Sequence, residues 1–251
     1  MVDIFINTCL YPSTADCEGL FGPTDGYYGT VEAQGRLSLH LHCLVWIKNA
    51  PSPEKLREKL KSGDQNFTTQ IISWLESICQ GEYSTGTEAD IEELIKSDTV
   101  SKSHILSKLP PMPDSNMTDA DIADWYQNLC IESDVIAYLS NRHSSQHGYG
   151  CQTATGQCRA RFPRTIYDVT TVDLSDGAIT LKHKEEWLNT YNVILTYLMR
   201  CNTDVLSMQS GTQLRAIIAY VTDYITKSSL KTHALFDSIK MILEKSAETR
   251  K

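Results

Sequence analysis

The triplet His40-Leu41-His42 stands inside an extended hydrophobic run from Leu37 to Ile47. Side chains alternate across a strand, so both imidazoles project from one face about 7 Å apart, close enough to share one divalent ion. Leu39, Leu41 and Cys43 then face the other way. Glu32 and Gln34 have the same parity in the preceding run, and either offers a third ligand through oxygen. An oxygen donor beside two imidazoles suits Mg2+ or Mn2+ when phosphate and water fill the remaining positions. Far along the chain, Tyr220 and Tyr224 lie four residues apart and Lys227 follows by three, so a helix there carries all three on one face. Aromatics at that spacing are ordinary core packing. The chemical alternative is specific. A tyrosine hydroxyl beside a cation that polarises a phosphodiester can attack phosphorus, leaving a covalent phosphotyrosine and a free sugar hydroxyl, while a lysine offsets the phosphate charge.

A second constellation is His143-x3-His147-x3-Cys151-x6-Cys158. It offers two imidazoles and two thiolates, the donor set of a tetrahedral structural Zn2+, although its spacing is not that of a standard finger. The plain alternative is a polar loop with a buried Cys158. Arg159, Arg161 and Arg164 follow at once. Guanidinium forks suit phosphate contacts, and solvated surface charge is the competing account of them. Cys43 and Cys201 read as small core residues, and Trp46 and Trp187 as packing rather than base-stacking platforms.

Several elements must position these groups. Phe21 to Gly26 reads as a loop, followed by extended runs at Tyr28–Gln34 and Leu37–Ile47 around Gly35-Arg36. Ser52-Pro53-Glu54-Lys55 offers an N-cap and a first-turn proline, so a helix starts there. Phe67 to Cys79 is a second amphipathic helix, with Ile71, Ile72, Leu75 and Ile78 on one face. Residues 81–118 are acidic, then proline-rich, which predicts a loop or an insertion, and Asp121 to Leu139 returns to helix. Short strands are expected at Ile166–Val172 and Ala178–Lys182, joined by Ser175-Asp176-Gly177. Trp187–Leu198 reads as helix or helix and loop, Asp204–Met208 as a strand, and Thr212–Lys227 as a helix. The expected organisation is a first part over 1–139 with the histidine strand and the acidic insertion, a His/Cys-rich loop over 140–165, and a C-terminal part over 166–251 carrying the tyrosine helix.

The net charge of −8 argues against a nucleic-acid partner until its distribution is considered. Residues 1–141 hold 9 Lys+Arg against 21 Asp+Glu, whereas residues 142–251 hold 14 against 10. A mildly basic C-terminal half can face phosphates while the acid sits elsewhere, and ordinary surface scatter would look the same. Eight cysteines spread thinly over 251 residues predict thiols rather than a disulfide framework. No apolar run approaches the roughly 18 to 20 residues of a membrane span. The start, Met1-Val2-Asp3-Ile4-Phe5, has neither a basic leader nor a cleavage pattern, so the expectation is an intracellular protein without a membrane.

Taken in order, Tyr27-Tyr28-Gly29-Thr30-Val31-Glu32-Ala33-Gln34-Gly35-Arg36, His40-Leu41-His42, Leu44-Val45-Trp46-Ile47, Cys158-Arg159-Ala160-Arg161-Phe162-Pro163-Arg164, Asn189-Thr190-Tyr191-Asn192, Arg200-Cys201-Asn202-Thr203-Asp204 and Tyr220-Val221-Thr222-Asp223-Tyr224-Ile225-Thr226-Lys227 resemble the replication-initiator nicking domain of Helitron rolling-circle transposons, of the HUH endonuclease class and of fungal type. The resemblance spans about residues 10 to 232 and is looser over 81–118. It implies that His40 and His42 hold the catalytic metal and that Tyr220 and Tyr224 are paired nucleophiles with Lys227 beside them. Arg36, Arg159, Arg161 and Arg164 become candidate contacts to single-stranded or hairpin DNA. The implied fold is α+β, an antiparallel sheet with flanking helices. The implied activity is metal-dependent nicking and strand transfer through a 5′-phosphotyrosine, in the nucleus. Where many family members have Arg-Gly-x-Pro before the first histidine, this chain has Arg36-Leu37-Ser38-Leu39. The chain begins after the family's early strand, so an incomplete sheet is expected. No Gly-x-x-x-x-Gly-Lys-[Ser/Thr] occurs, so the helicase fused to the domain in the family is not expected here. The alternative is a decayed, transposon-derived module that binds DNA without cutting it.

Overall fold

The computed structural model describes residues 2–10, 18–33, 39–97, 112–146 and 151–210, with Gln213, residues 215–219 and Thr222. Among the described residues the chain mixes helices with two small antiparallel sheets, an α+β composition. It divides into two compact units, one made of residues 1–25 and 46–210, the other of residues 26–45 and 211–251.

The first unit opens with a helical turn, α1 (Val2–Ile4), that continues as a π-helical stretch over Phe5–Leu10 and buries Phe5, Cys9 and Leu10. Its next helix begins where the sequence places it. In α2 (Pro53–Lys61) the Ser52 hydroxyl accepts from the Lys55 N–H, and proline occupies the first turn, where its missing N–H leaves nothing unpaired. The following α3 (Gln65–Ile78) is capped by Asp64, which accepts from the Phe67 N–H, and it buries Leu75 and Ile78.

The acidic stretch corrects an expectation, because it contains a helix, α4 (Glu88–Lys96). Thr87 caps the Asp90 N–H while the Asp90 carboxylate accepts from the Thr87 N–H and hydroxyl, and Ile91 is buried. The same reciprocal cap, from Thr118 and Asp121, starts α5 (Asp119–Ser140). The C-terminal half of α5 is enclosed, with Leu129, Cys130 and residues 133–137 all buried. A third helix, α6 (Val193–Met199), packs against it, capped by Asn192 and ended by Arg200 in the left-handed conformation at φ 54°. It is shorter than the expected Trp187–Leu198, since Leu188 and Tyr191 are held in backbone bridges to Arg142 and Gln80. Tyr83, Ile91, Val135, Ile136, Leu188, Tyr191 and Tyr197 form the centre of this core. Within it the fully buried Asp134 carboxylate accepts from the Ser84 N–H (3.0 Å), the Thr85 N–H (2.8 Å) and hydroxyl (2.7 Å), and the Tyr191 hydroxyl (2.7 Å). A buried carboxyl group is accommodated only when its oxygens are hydrogen-bonded in this way.

Both short strands form, though briefly. β3 (Thr171–Asp173) and β4 (Ala178–Thr180) pair antiparallel around the Gly177 turn, and a further bridge joins Tyr167 to His183. The expected strand at 204–208 does not form: among the described residues it has no ladder partner, only the Val205 N–H donating to Thr190 O at 3.3 Å. Leu206 is 66% exposed, so one side of that segment has no apolar surface to pair against.

The histidine hairpin is β1 (Thr24–Ala33) with β2 (Leu39–Ile47), a two-stranded sheet whose residues 26–45 belong to the second unit. β1 starts at Thr24, inside the expected Phe21–Gly26 loop, because pairing runs out to the Lys48 N–H donating to Pro23 O at 2.7 Å. Of the expected C-terminal helix, Gln213, residues 215–219 and Thr222 are helical, and the Thr222 hydroxyl donates to Ile218 O at 2.7 Å. Among the described residues no helix is long and apolar enough to cross a membrane.

Candidate metal centres

His40 and His42 lie two apart on β2, and their ring centroids are 6.4 Å apart with planes tilted by 33°. The facing strand fixes which of its residues share their side. A Cβ on Gly29 would stand 3.3 Å from Leu41 Cδ1 and 3.8 Å from Cys43 Sγ, and only 3.2 Å from His42 O. Gly29 thus belongs to the Leu41 and Cys43 face, which its lack of a side chain allows to approach closely. Alternation then puts the even positions of β1, Thr30 among them, on the histidine side. Among the described residues, Thr30 Oγ1 and His40 Nδ1 are buried without a hydrogen-bond partner. On the opposite side, burial pushes the Cys43 thiol up to about 11, so it stays protonated at neutral pH and is a poor metal ligand.

The position of Glu32 lies in β1. Its side chain falls outside the described ones, as do Gln34 and Arg36 and, at the other end, Tyr220, Tyr224 and Lys227. A buried imidazole nitrogen with no proton to accept fits a metal ligand, so the histidine pair passes that chemical test.

The His/Cys-rich loop brings three of its four expected donors together. His143 Nε2 is 3.1 Å from Cys151 Sγ and 3.5 Å from Cys158 Sγ, and the two sulfurs are 3.4 Å apart. The described cysteines are free thiols, and these three side chains could hold a metal ion. His147 lies outside the described residues. The backbone builds the site. Arg142 bridges Leu188 and the His143 N–H donates to Trp187 O at 2.8 Å, which ties the end of α5 to the 183–191 segment. Gln152 pairs with Cys158, and the Arg159 N–H donates to Cys151 O, closing a small hairpin that sets the two thiols side by side. After it, the Arg161 N–H returns to Cys158 O at 3.0 Å, with Arg161 at φ 64°.

That turn aims N–H groups at sulfur. Partial burial raises the Cys158 thiol, but the N–H of Phe162, the Cys151 thiol and the N–H groups of Ala160 and Arg161 outweigh it, and the net shift is downward. Cys151 moves up, first through its hydrogen bond to Cys158 and then through burial. Of the two thiols, Cys158 is therefore the one that gives up its proton more readily, and a metal binds the thiolate. The His143 ring is fixed by stacking on Phe162, centroids 4.6 Å apart and planes at 8°, with Trp187 parallel at 6.5 Å. Trp187 packs here, as its sequence suggests, whereas Trp46, expected to pack as well, is 49% exposed.

The three arginines after Cys158 separate by environment. Arg159 and Arg161 are exposed, whereas Arg164 is half-buried, lies 4.3 Å over the Phe162 ring and donates to Asn189 Oδ1 at 2.8 Å. The sequence does not mark Thr30, because parity across two strands says nothing about a shared face until the register is known. Nor does it mark the Asp134–Tyr191 pair, whose members are 57 residues apart. Comparison with family models, with curated proteins and with solved structures finds no match to this chain.

Proposed function

We propose that the chain is a DNA-nicking domain of the HUH class, similar to the Helitron replication initiator, in which His40 and His42 hold Mg2+ or Mn2+ and Tyr220 and Tyr224 are the nucleophiles. The observation that carries this reading is the histidine pair on one strand face, rings 6.4 Å apart, with His40 Nδ1 buried and without a hydrogen-bond partner among the described residues. In support, the histidine strand and the helical residues Gln213, 215–219 and Thr222 fall in the same compact unit. The bound cation supplies positive charge to a non-bridging phosphate oxygen. The chain's own residues do the rest. A tyrosine hydroxyl attacks phosphorus, the bond from phosphorus to the 3′ oxygen breaks, and the proton given up by tyrosine ends on that oxygen. The products are a 5′-phosphotyrosine and a free 3′-hydroxyl, with the Lys227 ammonium offsetting negative charge on the phosphorane. A second tyrosine permits a second transfer before the first end is released.

The Cys/His loop completes the reading. His143, Cys151 and Cys158, with His147 as the fourth donor, hold a structural Zn2+ that fixes the turn presenting Arg159 and Arg161 to the DNA backbone. Incubation of the purified chain with labelled single-stranded DNA and Mn2+ tests the enzyme reading on a denaturing gel. Cleavage that disappears in His40→Ala and His42→Ala supports it. Retained DNA binding with no cleavage by the wild type replaces it with the binding-module reading.

A further inference from the structure

We propose that Thr30 is a further residue of the cation site, its hydroxyl meeting the divalent ion, or a water bound to it, from β1 while His40 and His42 meet it from β2. The proposal rests on the histidine-metal reading above and adds a residue to that site. Gly29 is on the Leu41 and Cys43 face of the hairpin, so the next residue, Thr30, is on the histidine face. Thr30 Oγ1 is buried and, among the described residues, has no hydrogen-bond partner, and the same is true of His40 Nδ1. Buried hydroxyls and ring nitrogens are nearly always satisfied, so two orphans on one face of a two-stranded ribbon point to one shared ligand. Its chemistry follows from the donors. A threonine oxygen beside imidazole suits a hard or borderline cation that keeps part of its water shell, Mn2+ or Mg2+, and the Cys43 sulfur lies on the other face of the hairpin, against Gly29.

The test is a Mn2+ titration of the zinc-loaded whole chain, without DNA, read from the electron paramagnetic resonance signal of free Mn2+, alongside thermal melts of the metal-free hairpin variants. Thr30→Val is expected to weaken Mn2+ binding about tenfold, and Thr30→Ser, which keeps the hydroxyl, to stay within about twofold of wild type. Without Mn2+, Thr30→Val should melt at or above the wild-type temperature, because it removes an unsatisfied buried group. Wild-type Mn2+ affinity in Thr30→Val overturns the proposal, and so does a lower melting temperature without Mn2+, which would give the hydroxyl a structural role. His40→Ala separates the two levels. If it weakens Mn2+ binding while Thr30→Val does not, only the role of Thr30 fails; if neither changes it, the histidine site fails with it.

Discussion

Replacing Cys158 by serine should strip the chain of zinc and of a measurable part of its stability. With Zn–S about 2.3 Å and Zn–N about 2.0–2.1 Å, a tetrahedral ion needs donors about 3.8 Å apart for two sulfurs and about 3.6 Å apart for nitrogen and sulfur. The observed separations are 3.4 Å between the sulfurs and 3.1 and 3.5 Å from His143 Nε2. Each donor pair therefore opens by no more than about 0.5 Å to accept the ion, so little binding energy is spent on rearrangement. With free zinc at about a hundredfold over the dissociation constant, linkage adds about 2.7 kcal/mol to the folded state. For a unit of this size each kcal/mol is worth roughly 2–4 °C, so zinc should raise the melting temperature by roughly 5–10 °C. The assay is a circular dichroism melt of zinc-loaded and chelator-treated protein, with zinc content measured by mass spectrometry. Cys158→Ser and Cys151→Ser should lose both the metal and the increment. Cys201→Ser, at a thiol that is exposed rather than in the core its sequence suggests, should keep both. Equal melting temperatures with and without zinc, and no zinc retained by the wild type, would refute the geometric argument.

Other consequences concern the scaffold. Asp134→Ala removes the acceptor of four donors in the core and should cost about 3–5 kcal/mol in urea unfolding; a loss below about 1 kcal/mol would contradict the network. Gly177 has φ 72°, and a Cβ there would stand 2.7 Å from Arg57 O and 2.9 Å from Arg57 Cα, so Gly177→Ala should lose about 2–4 kcal/mol in the same assay. Burial, with the Arg164 guanidinium adding to it, holds the His183 imidazole below its ordinary 6.5. The unfolded chain then takes up a proton near 6.5 before the folded chain does, so this contribution is intact above 6.5 and is lost as pH falls toward the folded value. His183→Gln should show a smaller drop in urea midpoint than wild type between about pH 7.5 and about pH 5, and an identical drop would contradict it.

The sequence was most legible where a single local rule decides the outcome. Ser52-Pro53 marks the start of α2 by cap and ring chemistry alone, and the alternation around His40 and His42 makes β2. Thr87 and Asp90 carry the same kind of signal, but the acidic and proline-rich surroundings point to a loop or an insertion and mask it. The expected strand at 204–208 needs a partner, and Leu206 projects into solvent. The meeting of His143 with Cys151 and Cys158 was foreshadowed by donor types in one short segment. Its precision was not, because it depends on Phe162 and Trp187 stacking around the imidazole and on the bridge from Arg142 to Leu188. The Asp134 network was invisible for a related reason: its donors come from residues 84, 85 and 191, which only the packing of α5 brings together. Thr30 could be placed on the histidine face only once Gly29 was seen against Leu41 and Cys43.

The central claim is that the two histidines and two tyrosines form one nicking site, and peptide mapping of the covalent product addresses it most directly. Single-stranded DNA is incubated with the chain and Mn2+, trimmed by nuclease, and the tryptic peptides are searched for a tyrosine bearing a 5′-nucleotide. The account predicts the adduct on Tyr220 or Tyr224, absent when Mn2+ is chelated and absent in His40→Ala with His42→Ala. DNA cleaved with no adduct, or cleavage that persists in Tyr220→Phe with Tyr224→Phe, would contradict it.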